Sequence, residues 1–148
     1  MSRHQDISSL DQAVAYIIQR TARLLRFNLD KTIAQSGADI TPEQWFILFK
    51  LWNQSGVSQN TLTDPVLNDE PNITRQVTAL EEKGYLMRVV DEQDKRRRLV
   101  SLTAQGRLLM VKLFPIIIDV RETIFDGITP AELDILVDIL HRIEDNLA

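Results

Sequence analysis

The stretch that most constrains this chain is Asn68–Leu102. It opens on the polar run Asn68-Asp69-Glu70-Pro71, continues with Ile73, Val77 and Leu80 at helical spacing, and stops at Gly84. At roughly 100° per residue, Arg75 lies nearly opposite that apolar side, with Asn72 and Thr78 flanking it and Thr74 at its margin. Tyr85–Val90 and Leu99–Leu102 are aliphatic and aromatic segments suited to an antiparallel ribbon. Between them lie Asp91-Glu92-Gln93-Asp94 and the basic run Lys95-Arg96-Arg97-Arg98. Alone, such a charge run reads as a solvated loop. Behind a helix whose exposed side carries Arg, Thr and Asn, it reads as the second half of a site.

The flanking segments are helical. Leu10–Ile33 repeats Leu10, Val14, Ile17, Ile18, Leu24 and Leu25 on one face, with Arg20, Arg23 and Arg26 on the remainder, and Gly37 breaks the pattern. A solvated basic face is the simpler reading of that triplet, and contact with phosphate is the alternative. Thr41-Pro42-Glu43-Gln44 predicts a helix start: Thr41 caps, Pro42 takes the first position, and Gln44 closes a capping box. Trp45, Leu48, Phe49 and Trp52 follow on one face as core, or, for Trp45 and Phe49, as the lining of a small-molecule crevice. Ser58 predicts the cap of a short third helix around Leu62. An interior proline costs about 3 kcal/mol, so Pro65 makes that helix short, tight or kinked, or lets Asp64-Pro65 restart a turn. Thr103 starts a long helix to about Phe125, kinked at Pro115, whose apolar residues cover more than one face around Leu108–Ile118. After Gly127, Thr129-Pro130-Ala131-Glu132 forms a second capping box ahead of the stripe Leu133, Leu136, Val137, Leu140, Ile143 and Leu147.

Composition narrows the function classes. The chain has 148 residues, 44% of them hydrophobic and 26% charged, which fits one globular domain extended by helices. It has no cysteine, which excludes disulfides, thiolate catalysis and thiol redox sensing. His4 and His141 stand far apart, and no His/Asp/Glu cluster has metal-ligand spacing, so neither a metal nor a cofactor is expected. No signal peptide or membrane span is visible, which predicts a cytoplasmic protein with no membrane partner. The net charge of −4 weakens long-range attraction to nucleic acid. Residues 1–106 nevertheless balance at 13 basic and 13 acidic side chains, leaving the surplus in residues 107–148. Any nucleic-acid contact therefore rests on a locally basic surface.

The order of elements and three motifs resemble the MarR family of winged helix-turn-helix transcription regulators. Ile40-Thr41-Pro42-Glu43-Gln44-Trp45 is similar to the start of that family's second helix. Asn72-Ile73-Thr74-Arg75 with Leu80-Glu81-Glu82-Lys83-Gly84-Tyr85-Leu86 is similar to its recognition helix running into the wing. Asp94-Lys95-Arg96-Arg97 with Leu102-Thr103-Ala104-Gln105-Gly106 is similar to its Asp-Arg-Arg wing signature and the Leu-Thr-x-x-Gly that follows. The aligned part spans roughly residues 40–107. Lys95 departs from the family's arginine, keeping the charge and losing the planar fork, and Pro65 departs in the third helix.

The resemblance implies a mainly α fold with a small antiparallel β-hairpin wing. Residues 40–103 would form the DNA-binding region, and helices over 8–36 and 104–148 would make a homodimer. It implies a sequence-specific regulator of double-stranded DNA, without enzymatic activity. It would act as a repressor on a near-palindromic operator and answer to a small aromatic or phenolic effector. Arg75 would be the candidate for guanine in the major groove, and Asn72, Thr74 and Thr78 would contact either bases or phosphates. Lys95, Arg97 and Arg98 would contact DNA from the wing, while Asp94 pairs with Arg96 to hold its shape. The acidic net charge and Lys95 support a rival reading, a winged-helix protein-interaction module. An enzyme has little support, since no nucleophile–base motif, metal spacing or phosphate loop is present.

Overall fold

A computed structural model describes residues 13–54 and 56–148. Residues up to Ile117 form one compact unit and Ile118–Ala148 a second. The elements run α1 (Val14–Ser36), α2 (Pro42–Asn53), β1 (Val57–Ser58), a 3-10 turn (Gln59–Leu62), α3 (Glu70–Glu82), β2 (Leu86–Val90), β3 (Arg98–Leu102), α4 (Ala104–Ile124) and α5 (Pro130–Leu147). This is a winged-helix fold. The expected start of the first helix at Leu10, the residue-8 bound of its dimerisation segment, and His4 lie outside the described residues.

Local chemistry accounts for most boundaries. Gly37, at φ +82°, closes α1 in the left-handed region that disfavours other residues. Thr41 Oγ1 accepts from the backbone N–H of Gln44 at 3.3 Å, and Gln44 Oε1 accepts from the N–H of Thr41 at 3.1 Å, completing the predicted box. The same reciprocal arrangement joins Thr129 and Glu132 at the start of α5. Asp69 caps α3, which begins at Glu70 and carries Pro71 in its second position.

The third helix is short and tight, as Pro65 predicts, and only its expected cap is missing. It is a single 3-10 turn, and Ser58 makes no side-chain cap because it belongs to β1 instead. Asp64 then builds a closed loop: its N–H and C=O exchange hydrogen bonds with Asn68, both at 2.8 Å. Its carboxylate accepts from the N–H groups of Val66 and Leu67 at 2.8 and 3.1 Å. Pro65 is accommodated because this turn asks no N–H of it. Those two amide bonds hold the Asp64 carboxyl below its ordinary pKa.

The sheet is antiparallel in the order β1-β3-β2, with Val57 opposite Val100 and Arg88 opposite Val100 on its other side. The core joins Ile33, Leu48 and Leu51 to Ile73, Val77 and Leu80 of α3, to Leu86, Val100 and Leu102 of the sheet, and to Met110 and Leu113 of α4. Burying α3's apolar side in this way sets its opposite face outward. α4 continues as one helix through Pro115. Thr103 starts it, accepting from the N–H of Gly106 at 3.1 Å while donating to the carbonyl of Gly84 at 2.5 Å. In the second unit, α5 buries none of its residues, and Ile135, Leu136, Val137, Ile139 and Leu147 stand exposed. Among the described residues no helix is long and apolar enough to cross a membrane.

Candidate nucleic-acid interface

The outward face of α3 carries the residues that its periodicity selects. Arg75 and Thr74 are exposed, and Asn72 and Thr78 are partly exposed. They do not act as four independent groups. Asn72 donates through Nδ2 to Asn68 Oδ1, and its own Oδ1 accepts from Arg75 Nη2 at 3.3 Å. The Asp64–Asn68 loop therefore aims the guanidinium of Arg75 by way of two amides. Thr74 donates to the carbonyl of Glu70 and accepts from Gln59 Nε2, both at 3.0 Å. Thr78 accepts from Arg88 Nη2 at 3.3 Å.

The inner end of α3 is equally tied down. Gln44, only 4% exposed, donates through Nε2 to Gln76 Oε1 at 3.0 Å, so the capping residue of α2 also grips α3. Lys83 Nζ donates to the carbonyl of Asp39 and, at 3.4 Å, to Gln44 Oε1. Tyr85 donates its hydroxyl to Asp39 Oδ1 at 2.7 Å, and the carboxylate's pull on that proton raises the phenol's pKa. Arg26 of α1 forms an ion pair with Glu43, giving at least this member of the basic triplet a structural partner.

At the wing tip Lys95, Arg96, Arg97 and Arg98 are all exposed, and none of them enters an ion pair among the described residues. The expected Asp94–Arg96 pair is corrected in kind. Asp94 Oδ1 accepts from the backbone N–H of Arg96 at 3.1 Å, and the Asp94 carbonyl accepts from the N–H of Arg97 at 2.9 Å. A carboxylate two residues before an amide closes an Asx turn, which needs no guanidinium. Arg96 is therefore left with its charge outward, like its neighbours.

Trp45 and Phe49, the residues expected to line a crevice or the core, pack against a third ring. Trp45 is 5% exposed, and its ring centroid lies 6.0 Å from that of Phe49 and 6.2 Å from that of Phe114. Phe49 stacks on Phe114 at 5.9 Å and an interplanar angle of 6°. Trp45 is part of the core, while Phe49 and Phe114 remain partly exposed at its edge. An open hollow of about 160 Å³ has Asp39, Tyr85, Leu109 and Lys112 among its walls, and neither Trp45 nor Phe49 borders it.

Sequence reasoning missed Arg88. It sits on β2 between Leu86 and Val90, on the inward-facing alternation where Leu86 is buried. A charge at an inward strand position needs a partner, and that was the available signal. The partner is Glu81: Arg88 Nη2 lies 3.1 Å from Glu81 Oε1, and Nε lies 3.4 Å from Oε2. This guanidinium holds the Glu81 carboxyl below its ordinary pKa.

Residues 40–97 match the family model described as MarR family. Over 104 residues the chain is 25% identical to the transcriptional regulator HosA of Escherichia coli O157:H7, covering 70% of this chain and 77% of that protein. Its fold is similar to that of Staphylococcus aureus MepR in a DNA complex, with a TM-score of 0.81 at 24% identity over 95% of this chain and 100% of that one. It is also similar to Bordetella bronchiseptica BpsR, from a structure concerning regulation of DNA binding by 6-hydroxynicotinic acid. There the TM-score is 0.79 at 23% identity, over 93% and 96% of the two chains.

Proposed function

We propose that the chain is a ligand-responsive repressor of the MarR type, a reading supported by the match of residues 40–97 to the MarR family model and by the likeness to HosA. It binds a near-palindromic operator as a homodimer. One observation carries the reading: Arg75 stands outward from an α3 whose other side is locked into the core, beside a wing tip whose four basic residues have no ion-pair partners among the described residues. That is the arrangement needed to read base edges in a major groove while the tip reaches flanking phosphate. Asn72, Thr74, Arg75 and Thr78 supply the reading edge, and Lys95, Arg97 and Arg98 the wing contacts.

Dimerisation through segments 8–36 and 104–148 is supported by the apolar side chains those helices leave exposed, among them Ile17, Leu24 and Phe27 of α1 and Ile135 and Leu136 of α5. A dimer places two reading heads about one helical turn of DNA apart. An effector acts by favouring one spacing of those heads over another, because equal affinity for both shifts nothing. The regulation of BpsR by 6-hydroxynicotinic acid supports a small aromatic molecule in that role. The protein works in the cytoplasm and catalyses no reaction.

The test is a salt-titrated mobility-shift assay against DNA upstream of the protein's own coding region, with and without phenolic acids. Log affinity should fall linearly with log salt, by about 0.9 per phosphate neutralised. Binding without that slope would instead fit a protein-interaction module.

A further inference from the structure

We propose that Arg88 is a positioning residue for sequence recognition, setting the rotation of α3 against the wing through Thr78 and Glu81. The inference rests on the DNA-binding reading above.

Thr78 and Glu81 lie three residues apart, on neighbouring turns of one face of α3. A single guanidinium reaches both: Nη2 serves Thr78 Oγ1 at 3.3 Å and Glu81 Oε1 at 3.1 Å, while Nε serves Glu81 Oε2 at 3.4 Å. The Arg88 side chain is 25% exposed, so these bonds are partly shielded from water. Its base is fixed by β2, where Arg88 pairs with the fully buried Val100 of β3. One bond would let the helix roll about its axis. Contacts to two successive turns, made by a planar fork, resist both rolling and sliding.

Two consequences bear on recognition. Thr78 has one of its two acceptor positions engaged by Arg88, which biases the direction in which its hydroxyl can meet DNA. Glu81 is neutralised on the element that approaches the phosphates; freed, its charge would repel them. Arg75 stands on the same helix as Thr78, one turn earlier, so a roll of α3 displaces its fork from a guanine edge.

The experiment is selection from a randomised duplex library by the full-length protein, followed by affinity measurement on the enriched sequence and its single-base variants. Wild type, Arg88→Lys, Arg88→Ala, Thr78→Val and the double variant Arg88→Ala/Glu81→Gln are compared, with circular dichroism reporting the fold. Arg88→Lys keeps the charge and loses the fork. It should bind random DNA within about twofold of wild type, while discrimination between the enriched sequence and its variants falls about 10-fold. Thr78→Val, which keeps the side chain's shape and removes only the hydroxyl, should shift discrimination in the same direction by less. The double variant should recover affinity for random DNA without recovering discrimination. The proposal is overturned if folded Arg88→Lys and Thr78→Val discriminate as wild type does, or if the double variant restores discrimination in full. Failure of the wild type to enrich any sequence would instead remove the DNA-binding reading itself.

Discussion

Gly106 lies so close beneath Tyr85 that a Cβ built on it would stand 2.2 Å from the Tyr85 carbonyl oxygen. That carbonyl already accepts from the N–H of Thr103 at 3.0 Å, and Thr103 in turn caps α4. The contact is backbone against backbone, with no flexible side-chain end to yield. Gly106→Ala should therefore cost about 1–3 kcal/mol or more, as overpacking does, read as a lower urea midpoint at unchanged slope. An unchanged midpoint would show that α4 docks on the wing differently.

Arg75→Ala should cost about 1–3 kcal/mol of binding and relax preference at one base position. Asn72→Ala, which leaves Arg75 in place and removes the amide that orients it, should weaken discrimination by less than Arg75→Ala does. Competition assays with single-base operator variants separate the two. If Arg75→Ala left affinity and preference intact, α3 would not be the reading helix.

Lys95→Ala and Arg97→Ala should each weaken binding nearly uniformly across sequences. A side chain that neutralises one phosphate should, on its removal, reduce the slope of log affinity against log salt by about 0.9. The slopes decide which residue meets DNA: a change for Arg97 alone would assign the wing's role there and leave Lys95 in solvent. No change for either would remove the wing from the interface.

Much of this was legible because its causes are local. The capping boxes at Thr41/Gln44 and Thr129/Glu132 each complete themselves within four residues, and the buried side of α3 follows from period alone. What escaped depends on distant partners. β1 is two residues long and exists only because Val57 and Ser58 meet Val100 and Leu99, some forty positions away. The inward position of Arg88 signalled a partner without naming it, because Thr78 and Glu81 belong to a different element. Pro65 signalled trouble in the third helix without saying that Asp64 would resolve it through Val66 and Leu67. That Trp45 and Phe49 would meet Phe114 was equally hidden, because that ring comes from α4.

The Tyr85–Asp39 hydrogen bond should appear in an alkaline titration. Asp39 favours the protonated phenol, so the folded pKa lies above the ordinary value near 10. The sign follows: this contribution to stability is fully present below pH 10 and is lost as pH rises through the folded value. Ultraviolet absorbance of tyrosinate should show one of the two tyrosines ionising late, a step that Tyr85→Phe deletes and Asp39→Asn moves to lower pH. A late step that survives Tyr85→Phe would refute the assignment.

The proposed homodimer predicts a melting temperature that rises with protein concentration, because association of folded chains stabilises them by mass action. Leu136→Glu puts a charge on the exposed face of α5, where Leu136 is 47% accessible in one protomer. It should abolish that concentration dependence and give single-chain mass in sedimentation. A melting temperature indifferent to concentration in the wild type would exclude α5 as an interface.

The strand order has a consequence for handling the wing. β2 borders β3 on one side and, among the described residues, no strand on the other, while Met87, Val89 and Val90 stand exposed along it. A free apolar edge is a template on which another chain's backbone can add itself, and short length and nearby charge are what discourage growth. Here those guards are Arg88 within the strand and the charged tip beyond it. Stripping the tip of charge to probe binding also disarms the edge, so an all-alanine wing should precipitate as a sheet before it fails as a reader.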